Sequence, residues 1–151
     1  MRQVQVGYSD HVVLVDHRLT RDQLLEAGGY ADDLSAAMLE HYVKDLPISD
    51  KQEEVAMSLL HVSHLWLDEP DAALNILSQA GMRCPTPREA LSFAVANPSL
   101  VDKFEINAIG HEDKHKRLMM YSTGGTRCLF AFFWGKGPIV TPNACILATR
   151  Q

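Results

Sequence analysis

Four basic residues near the end of the chain could act on an anionic group. They are Arg117, Arg127, Lys136 and Arg150, and no acidic residue follows Asp113 in this region. Guanidinium and ammonium groups stabilise the negative charge that builds up on a phosphate as it reacts. These four residues are therefore candidates for catalysis on a phosphate group or for binding one.

The charge is divided unevenly along the chain, whose formal net charge is −5. Residues 1–100 contain seven Lys and Arg against fifteen Asp and Glu, whereas residues 101–151 contain seven against four. Such asymmetry can indicate an anionic partner such as nucleic acid. It also arises when a basic sheet packs beside acidic helices of the same chain, so both interpretations stay open.

Thiols and imidazoles are the other groups that could do chemistry. Cys84, Cys128 and Cys145 are widely spaced and form no Cys-x-x-Cys pair, which predicts reduced and mostly buried thiols. His111 and His115 could begin a metal site, but zinc needs three or four ligands, so we predict no bound metal. No Walker loop, GxSxG elbow or dinucleotide glycine motif is present, and we predict no cofactor.

The elements that would position these groups follow from the hydrophobic pattern. Apolar alternation over residues 4–8 and the run Val12–Val15 predict a β start, either one strand or a hairpin that turns at Ser9–Asp10. A helical middle and an antiparallel β end follow, so the predicted fold class is α+β. The absence of a linker or low-complexity segment predicts a single compact domain over residues 1–151.

About five helices are predicted in the middle of the chain. Capping boxes begin at Thr20, Ser49 and Thr86, since each is followed three residues later by Gln or Glu. The predicted helices cover residues 20–28, 32–45, 49–66, 68–81 and 86–97. The apolar faces of the second and third are Leu34, Met38 and Tyr42, and Val55, Leu59, Val62 and Trp66.

The two helices expected within residues 54–85 resemble one tetratricopeptide-type helix hairpin. The residues that carry the likeness are Leu60, Ala73, Ala80 and Pro85. A solenoid needs several such units to bury a core, and no second copy follows. We therefore expect an ordinary α-hairpin here.

After residue 100 the apolar period changes from about 3.6 to 2, which predicts strands. The predicted strands cover residues 104–108, 117–122, 126–134 and 144–149, with Gly124–Gly125 as a hairpin turn. The order RLMMYS, glycine turn, TRCLFAFF and CILATR is similar to the sheet of RelE-like bacterial toxins, which cleave RNA on ribosomes. That resemblance implies a functional role for Arg127, with Arg117, Lys136 and Arg150 supporting it.

Aromatic residues are concentrated in one predicted strand, at Phe130, Phe132 and Trp134. They could fill the core, contact a partner subunit or stack on bases. Because no catalytic constellation is complete, we predict a small non-enzymatic protein-binding or regulatory module that uses these aromatics. The partner would be another protein or a second copy of the chain. The alternative is a RelE-like ribonuclease or another RNA- or phosphate-directed protein.

The location of the protein is predicted from what the sequence lacks. The N-terminus shows no secretory signal pattern, and no apolar run is long enough to span a membrane. We therefore expect a cytoplasmic protein that does not contact a membrane.

Overall fold

The computed structural model describes residues 6–30, 46–62, 70–133 and 143–151. These ranges contain four helices and seven strands. The helices are α1 (Arg21–Gly28), α2 (Pro70–Gln79), α3 (Pro87–Ala96) and α4 (Pro98–Lys103). The strands are β1 (Val6–Asp16), β2 (Gln52–Val62), β3 (Met82–Arg83), β4 (Glu105–Ile109), β5 (Lys116–Thr123), β6 (Thr126–Phe133) and β7 (Ala144–Arg150).

The seven strands form one mixed sheet in the order β1-β2-β7-β4-β5-β6, with β3 paired to β7. Every pair is antiparallel except β4 and β7, which run parallel. Thr149 pairs with Met57 of β2 and with Arg83 of β3, so β3 lies on the same side of β7 as β4. Among the described strands, β1 and β6 therefore form the two edges of the sheet.

Each face of the sheet packs against different helices. On the main-core face, Leu59, Ile106 and Leu118 pack in one cluster with residues of α1, α3 and α4. On the opposite face, which we call the minor-core face, Leu60 and Ile146 pack in a second cluster. That second cluster includes Ala73 and Leu77 of α2. The central strands are thus buried on both faces, while α2 covers the minor-core face only in part.

The helix starts at Thr20 and Thr86 are confirmed. Each threonine accepts a hydrogen bond from the backbone N–H three residues on, and the Gln23 or Glu89 side chain accepts one from the threonine N–H. These reciprocal bonds satisfy donors that the first helical turn would leave unpaired. The helix predicted over residues 68–81 is also present as α2, whereas α4 was not predicted. The predicted helix 32–45, with Leu34, Met38 and Tyr42, lies outside the described residues.

The predicted helix from Ser49 to Trp66 is wrong, because residues 52–62 form strand β2. Its apolar residues, at spacings of three and four, also fit a central strand that is buried on both faces, and Met57, Ser58, Leu59 and Leu60 are all fully buried. The Ser49 hydroxyl accepts from the N–H of Lys51, two residues on, and caps no helix. The likeness to a tetratricopeptide-type hairpin fails for the same reason.

Of the two forms predicted for the β start, the single strand is present and the hairpin is not formed. Strand β1 runs unbroken from Val6 to Asp16 and pairs along its whole length with β2. The Asp10 carboxylate, at the expected turn, accepts hydrogen bonds from Ser58 and Arg150 on the same sheet. These partners allow a polar residue to stay inside the strand.

The C-terminal sheet is confirmed, with one correction. Strands β4, β5 and β6 are antiparallel neighbours, and Gly124 and Gly125 turn the β5–β6 hairpin with positive φ angles of 58° and 80°. Strand β7 does not follow β6 in the sheet but lies between β2 and β4 and runs parallel to β4. Among the described residues, no helix is long and apolar enough to cross a membrane.

Candidate functional site

Those residues of the predicted anion site that the structure describes lie in separate places. Arg127 bonds to Asp102, with 3.1 Å between Nε and Oδ1, and donates to the carbonyl oxygen of Gly28. Arg150 donates to Asp10 at 2.7 Å, at the other end of the sheet. Lys136 lies outside the described residues. The structure therefore does not bring Arg127 and Arg150 together, and the RNA-directed hypothesis stays a prediction from sequence.

Arg117 is a buried residue, with 1% of its surface exposed. It stands on β5 beside Ile109 of β4 and the backbone of Phe132 on β6. Burial lowers the pKa of its guanidinium to about 10, and the nearby Glu105 carboxylate opposes that shift. A guanidinium buried in this way does not offer a surface on which a phosphate can dock.

The predicted aromatic site is described only in part. Phe130 on β6 is 39% exposed. The backbone of Phe132 pairs with Arg117, and Trp134 lies outside the described residues. Of the three predicted aromatic residues, Phe130 is the one whose side chain the structure describes, and it reaches the surface.

The histidines predicted as a metal pair, His111 and His115, are exposed in the loop between β4 and β5. The His115 N–H donates to the Asp113 carboxylate, which orders the turn. Within the described residues, no group of three potential metal ligands is present.

One juxtaposition that the sequence did not suggest is a thiol beside an imidazole. Cys145 Sγ lies 3.2 Å from Nδ1 of His61, because the two residues are directly paired between β7 and β2. A Cys–His pair can act as a nucleophile when the thiol ionises. Here burial raises the pKa of Cys145 to about 12, and its side chain is 1% exposed. The contact therefore belongs to the packing of the sheet and not to an exposed reactive site.

Among the strand side chains that the structure describes, the most exposed large apolar ones lie on β1. Val12 is 70% exposed and Leu14 is 57% exposed, whereas Val13 and Val15 are buried. Successive side chains of a strand point to opposite faces. Val13 and Val15 therefore enter the main core, while Val12 and Leu14 lie together on the minor-core face, outside the area that α2 covers.

The neighbouring strand extends this apolar surface. Ala56 of β2 is exposed and stands directly opposite Val12. We call the three residues Val12, Leu14 and Ala56 the β1 patch. Exposed apolar side chains that stand singly need no explanation, but adjacent ones on one strand mark a candidate contact surface.

The backbone of β1 is also open on the side away from β2. The His17 N–H donates to the Lys51 carbonyl oxygen, in continuation of the β1–β2 register. Residues of an antiparallel pair alternate between hydrogen-bonded and non-hydrogen-bonded positions. Odd-numbered residues of β1 therefore bond to β2, and Asp10, Val12 and Leu14 direct their N–H and C=O groups outward. We call this side of β1 the open edge, since none of the described strands pairs with it.

Two carboxylates at the margin of the β1 patch are paired within the chain, whereas Glu54 of β2, directly opposite Leu14, is exposed. Asp10 accepts from Arg150 and Ser58, and these bonds lower the pKa of its carboxyl group. Two bonds from the Arg18 guanidinium and one from the Arg18 N–H lower the pKa of Asp16 to about 2. The carboxylates at both ends of the open edge are thus neutralised by partners within the same chain.

Protein-family models, curated proteins and solved structures were all compared with this chain, and none of them matches.

The geometry itself indicates what the open edge can do. A strand with outward N–H and C=O groups can accept another strand, and main-chain hydrogen bonds then supply affinity. Side-chain contacts on the exposed face, here with Val12 and Leu14, supply specificity.

The sequence did contain a signal for this surface. Four consecutive apolar residues, from Val12 to Val15, cannot all face the same side of a strand. Two of them must point outward unless the second face is also covered. The exposure of that face depends on the position of α2, which the sequence does not specify.

Proposed function

We propose that this chain is a small protein-binding module and that β1 is its docking strand. The observation that carries the proposal is the exposure of Val12 and Leu14, side by side on an edge strand. Their burial by a partner would remove apolar surface from water, at about 25 cal/mol for each Å² buried.

Within the described residues, the open edge lacks several of the devices that usually prevent strand addition. Natural edge strands are often short, or carry Pro, bulges or inward-pointing charges. Strand β1 is 11 residues long, pairs with β2 without a bulge, and contains no proline. Its only charged residues are Asp10 and Asp16, and both are engaged by arginines of the same chain. An edge that is left open in this way supports a role in association.

The test compares two lysine variants that differ in position but not in exposure. Leu14 and Ile48 are both 57% exposed, and only Leu14 lies on the docking strand. Purification of tagged wild type, Leu14→Lys and Ile48→Lys from the host, followed by native mass spectrometry, measures which protein chains stay bound. Because both changes are at the surface, each should alter the free energy of unfolding by no more than about 0.5 kcal/mol.

We expect Leu14→Lys to lose the bound chain and Ile48→Lys to keep it. A lysine on the patch places a charge where a partner would bury apolar surface. Equal binding by all three proteins, or the absence of any bound chain on the wild type, would contradict the proposal.

A further inference from the structure

We propose that the partner of β1 is an extended segment of a different protein that places an arginine or lysine beside Leu14 and an aliphatic residue beside Val12. This inference rests on the proposed function, since it names the chemistry of the occupant of the open edge. The observation behind it is the exposed carboxylate of Glu54, which lies on β2 directly opposite Leu14.

Glu54 differs from the other carboxylates of the two strands. Strands β1 and β2 contain four carboxylates, and three of them have a cationic partner within the chain, in the pairs Asp10–Arg150, Asp16–Arg18 and Glu53–Lys51. No ion pair among the described residues includes Glu54. A strand that docks on β1 therefore brings its side chains close to a carboxylate whose charge no described residue offsets.

The spacing of the strands allows a long basic side chain to reach Glu54. Leu14 and Glu54 are cross-strand partners and share the minor-core face, and a docked strand would place one residue on the other side of Leu14. Adjacent strands are about 4.8 Å apart, so the backbone of that residue would lie about 9.6 Å from the backbone of Glu54. An extended arginine or lysine together with the glutamate side chain spans this distance. The aliphatic stem of the basic residue would then cover Leu14 while its charged group meets the carboxylate.

Other residue types are less favourable at that position. Docking removes water from around Glu54, and a carboxylate that loses water without gaining a partner is destabilised. An acidic residue would add repulsion between like charges. Val12 has Ala56 as its neighbour on β2, so the position beside Val12 favours an aliphatic residue. Because side chains on one face recur every second residue, the basic and the aliphatic residue would be two positions apart in the partner.

A second copy of this chain does not supply the basic residue through either described edge strand. Strand β1 contains no lysine or arginine. The one basic residue of β6, the other edge strand, is Arg127, and the Asp102 carboxylate already engages it. The charge on this surface thus favours a segment of a different protein over self-association.

The experiment uses the purified full chain and three short, capped synthetic peptides as probes. The peptides share one alternating sequence of valine and threonine and carry arginine, glutamine or glutamate at the central valine position. Alternate residues are N-methylated along one edge, which prevents the peptides from stacking into sheets. Fluorescence anisotropy measures their affinity for the wild type, Glu54→Lys, Leu14→Lys and Glu112→Lys. Glu112→Lys is the matched control, since Glu112 is also exposed but lies in the loop between β4 and β5.

The wild type should bind the arginine peptide about fivefold more tightly than the glutamine peptide, and the glutamate peptide most weakly. Glu54→Lys should reverse this order, and Glu112→Lys should keep it. Leu14→Lys should weaken the binding of the arginine peptide, because it removes the apolar contact and adds a like charge.

Three results would overturn the inference. One is equal affinity of the wild type for the three peptides, or an order that Glu54→Lys leaves unchanged. If Leu14→Lys still weakens binding in that case, the docking strand stands and only its charge preference is wrong. The second is that no peptide binds, and the comparison of Leu14→Lys with Ile48→Lys in the host then decides the proposed function separately. The third is a dimer of the wild type in analytical ultracentrifugation that Leu14→Lys abolishes, which would make a second copy the occupant.

Discussion

Arg88 holds the end of the docking strand in place through three hydrogen bonds to backbone carbonyl groups. Its side chain is 4% exposed and belongs to α3. One Nη atom donates to Asp16 at 3.1 Å and to Leu19 at 2.7 Å, and the other donates to Pro47 at 2.9 Å. These bonds connect the end of β1, the turn before α1 and the segment that leads to β2.

Arg88→Met replaces the arginine with a long apolar side chain, which removes every hydrogen-bond donor of the guanidinium. A hydrogen bond to a charged donor contributes about 1.5–3 kcal/mol. The Asp16 carbonyl keeps the Leu19 N–H as a partner, and Pro47 is exposed to water. We therefore count the Leu19 bond in full and the other two at half, which predicts a loss of about 3–6 kcal/mol in the free energy of unfolding.

Urea unfolding followed by circular dichroism measures this loss. With a slope of about 2 kcal/mol per molar urea, the midpoint should fall by about 1.5–3 M. The control is Arg18→Met, since Arg18 also contacts Asp16 but its side chain is 55% exposed. A surface ion pair of that kind contributes at most about 1 kcal/mol. A loss below about 1 kcal/mol for Arg88→Met would refute the view that its hydrogen bonds stabilise this junction.

Two further predictions concern residues that shape the fold around the sheet. Burial alone would raise the pKa of Glu89, but bonds from the Arg83 side chain and the Thr86 N–H outweigh it and lower the pKa. The stability that the carboxylate contributes is therefore present above its ordinary pKa and is lost as the pH falls through the lowered folded-state value. Glu89→Gln should flatten the acid-side fall of the free energy of unfolding, and parallel curves for variant and wild type would contradict this. Gly110→Ala should reduce the free energy of unfolding by about 1–3 kcal/mol, because the new Cβ would collide with the carbonyl oxygen of Asp113. The urea midpoint should fall accordingly, and an unchanged midpoint would contradict this prediction.

Features with a local cause were predicted well from the sequence. The helix starts at Thr20 and Thr86 depend on residues three positions apart, and both capping boxes form as expected. The turn at Gly124–Gly125 also depends only on the conformations of adjacent residues. Such predictions succeed because they depend only on neighbouring residues and not on distant parts of the chain.

Features set by distant contacts were not predicted. Residues 52–62 were expected to be helical because their apolar residues recur at spacings of three and four. However, β2 lies between β1 and β7, and its residues Met57 to Leu60 are buried on both faces. The insertion of β7 between β2 and β4 depends on pairing across more than 80 residues of chain, as the pair His61–Cys145 shows. Periodicity alone does not distinguish a two-sided central strand from a buried helix.

The candidate site also depends on contacts between parts of the chain that are far apart in sequence. The predicted binding residues, Phe130, Phe132 and Trp134, were chosen for their residue type. The β1 patch is defined instead by exposure, which residue type does not determine. Val12 and Val13 have the same side chain but are 70% and 0% exposed. That difference follows from strand alternation together with the incomplete cover by α2, and only the second part required the structure.

The most direct test of the docking strand is residue-resolved amide hydrogen exchange along β1. In the dissociated chain, the amides of Val12 and Leu14 should exchange quickly, since they point to the open edge, while those of Val13 and Val15 should be protected by β2. Association should then slow exchange at Val12 and Leu14 and leave the other two unchanged. Association without any change in exchange at Val12 and Leu14 would contradict the claim that β1 is the binding strand.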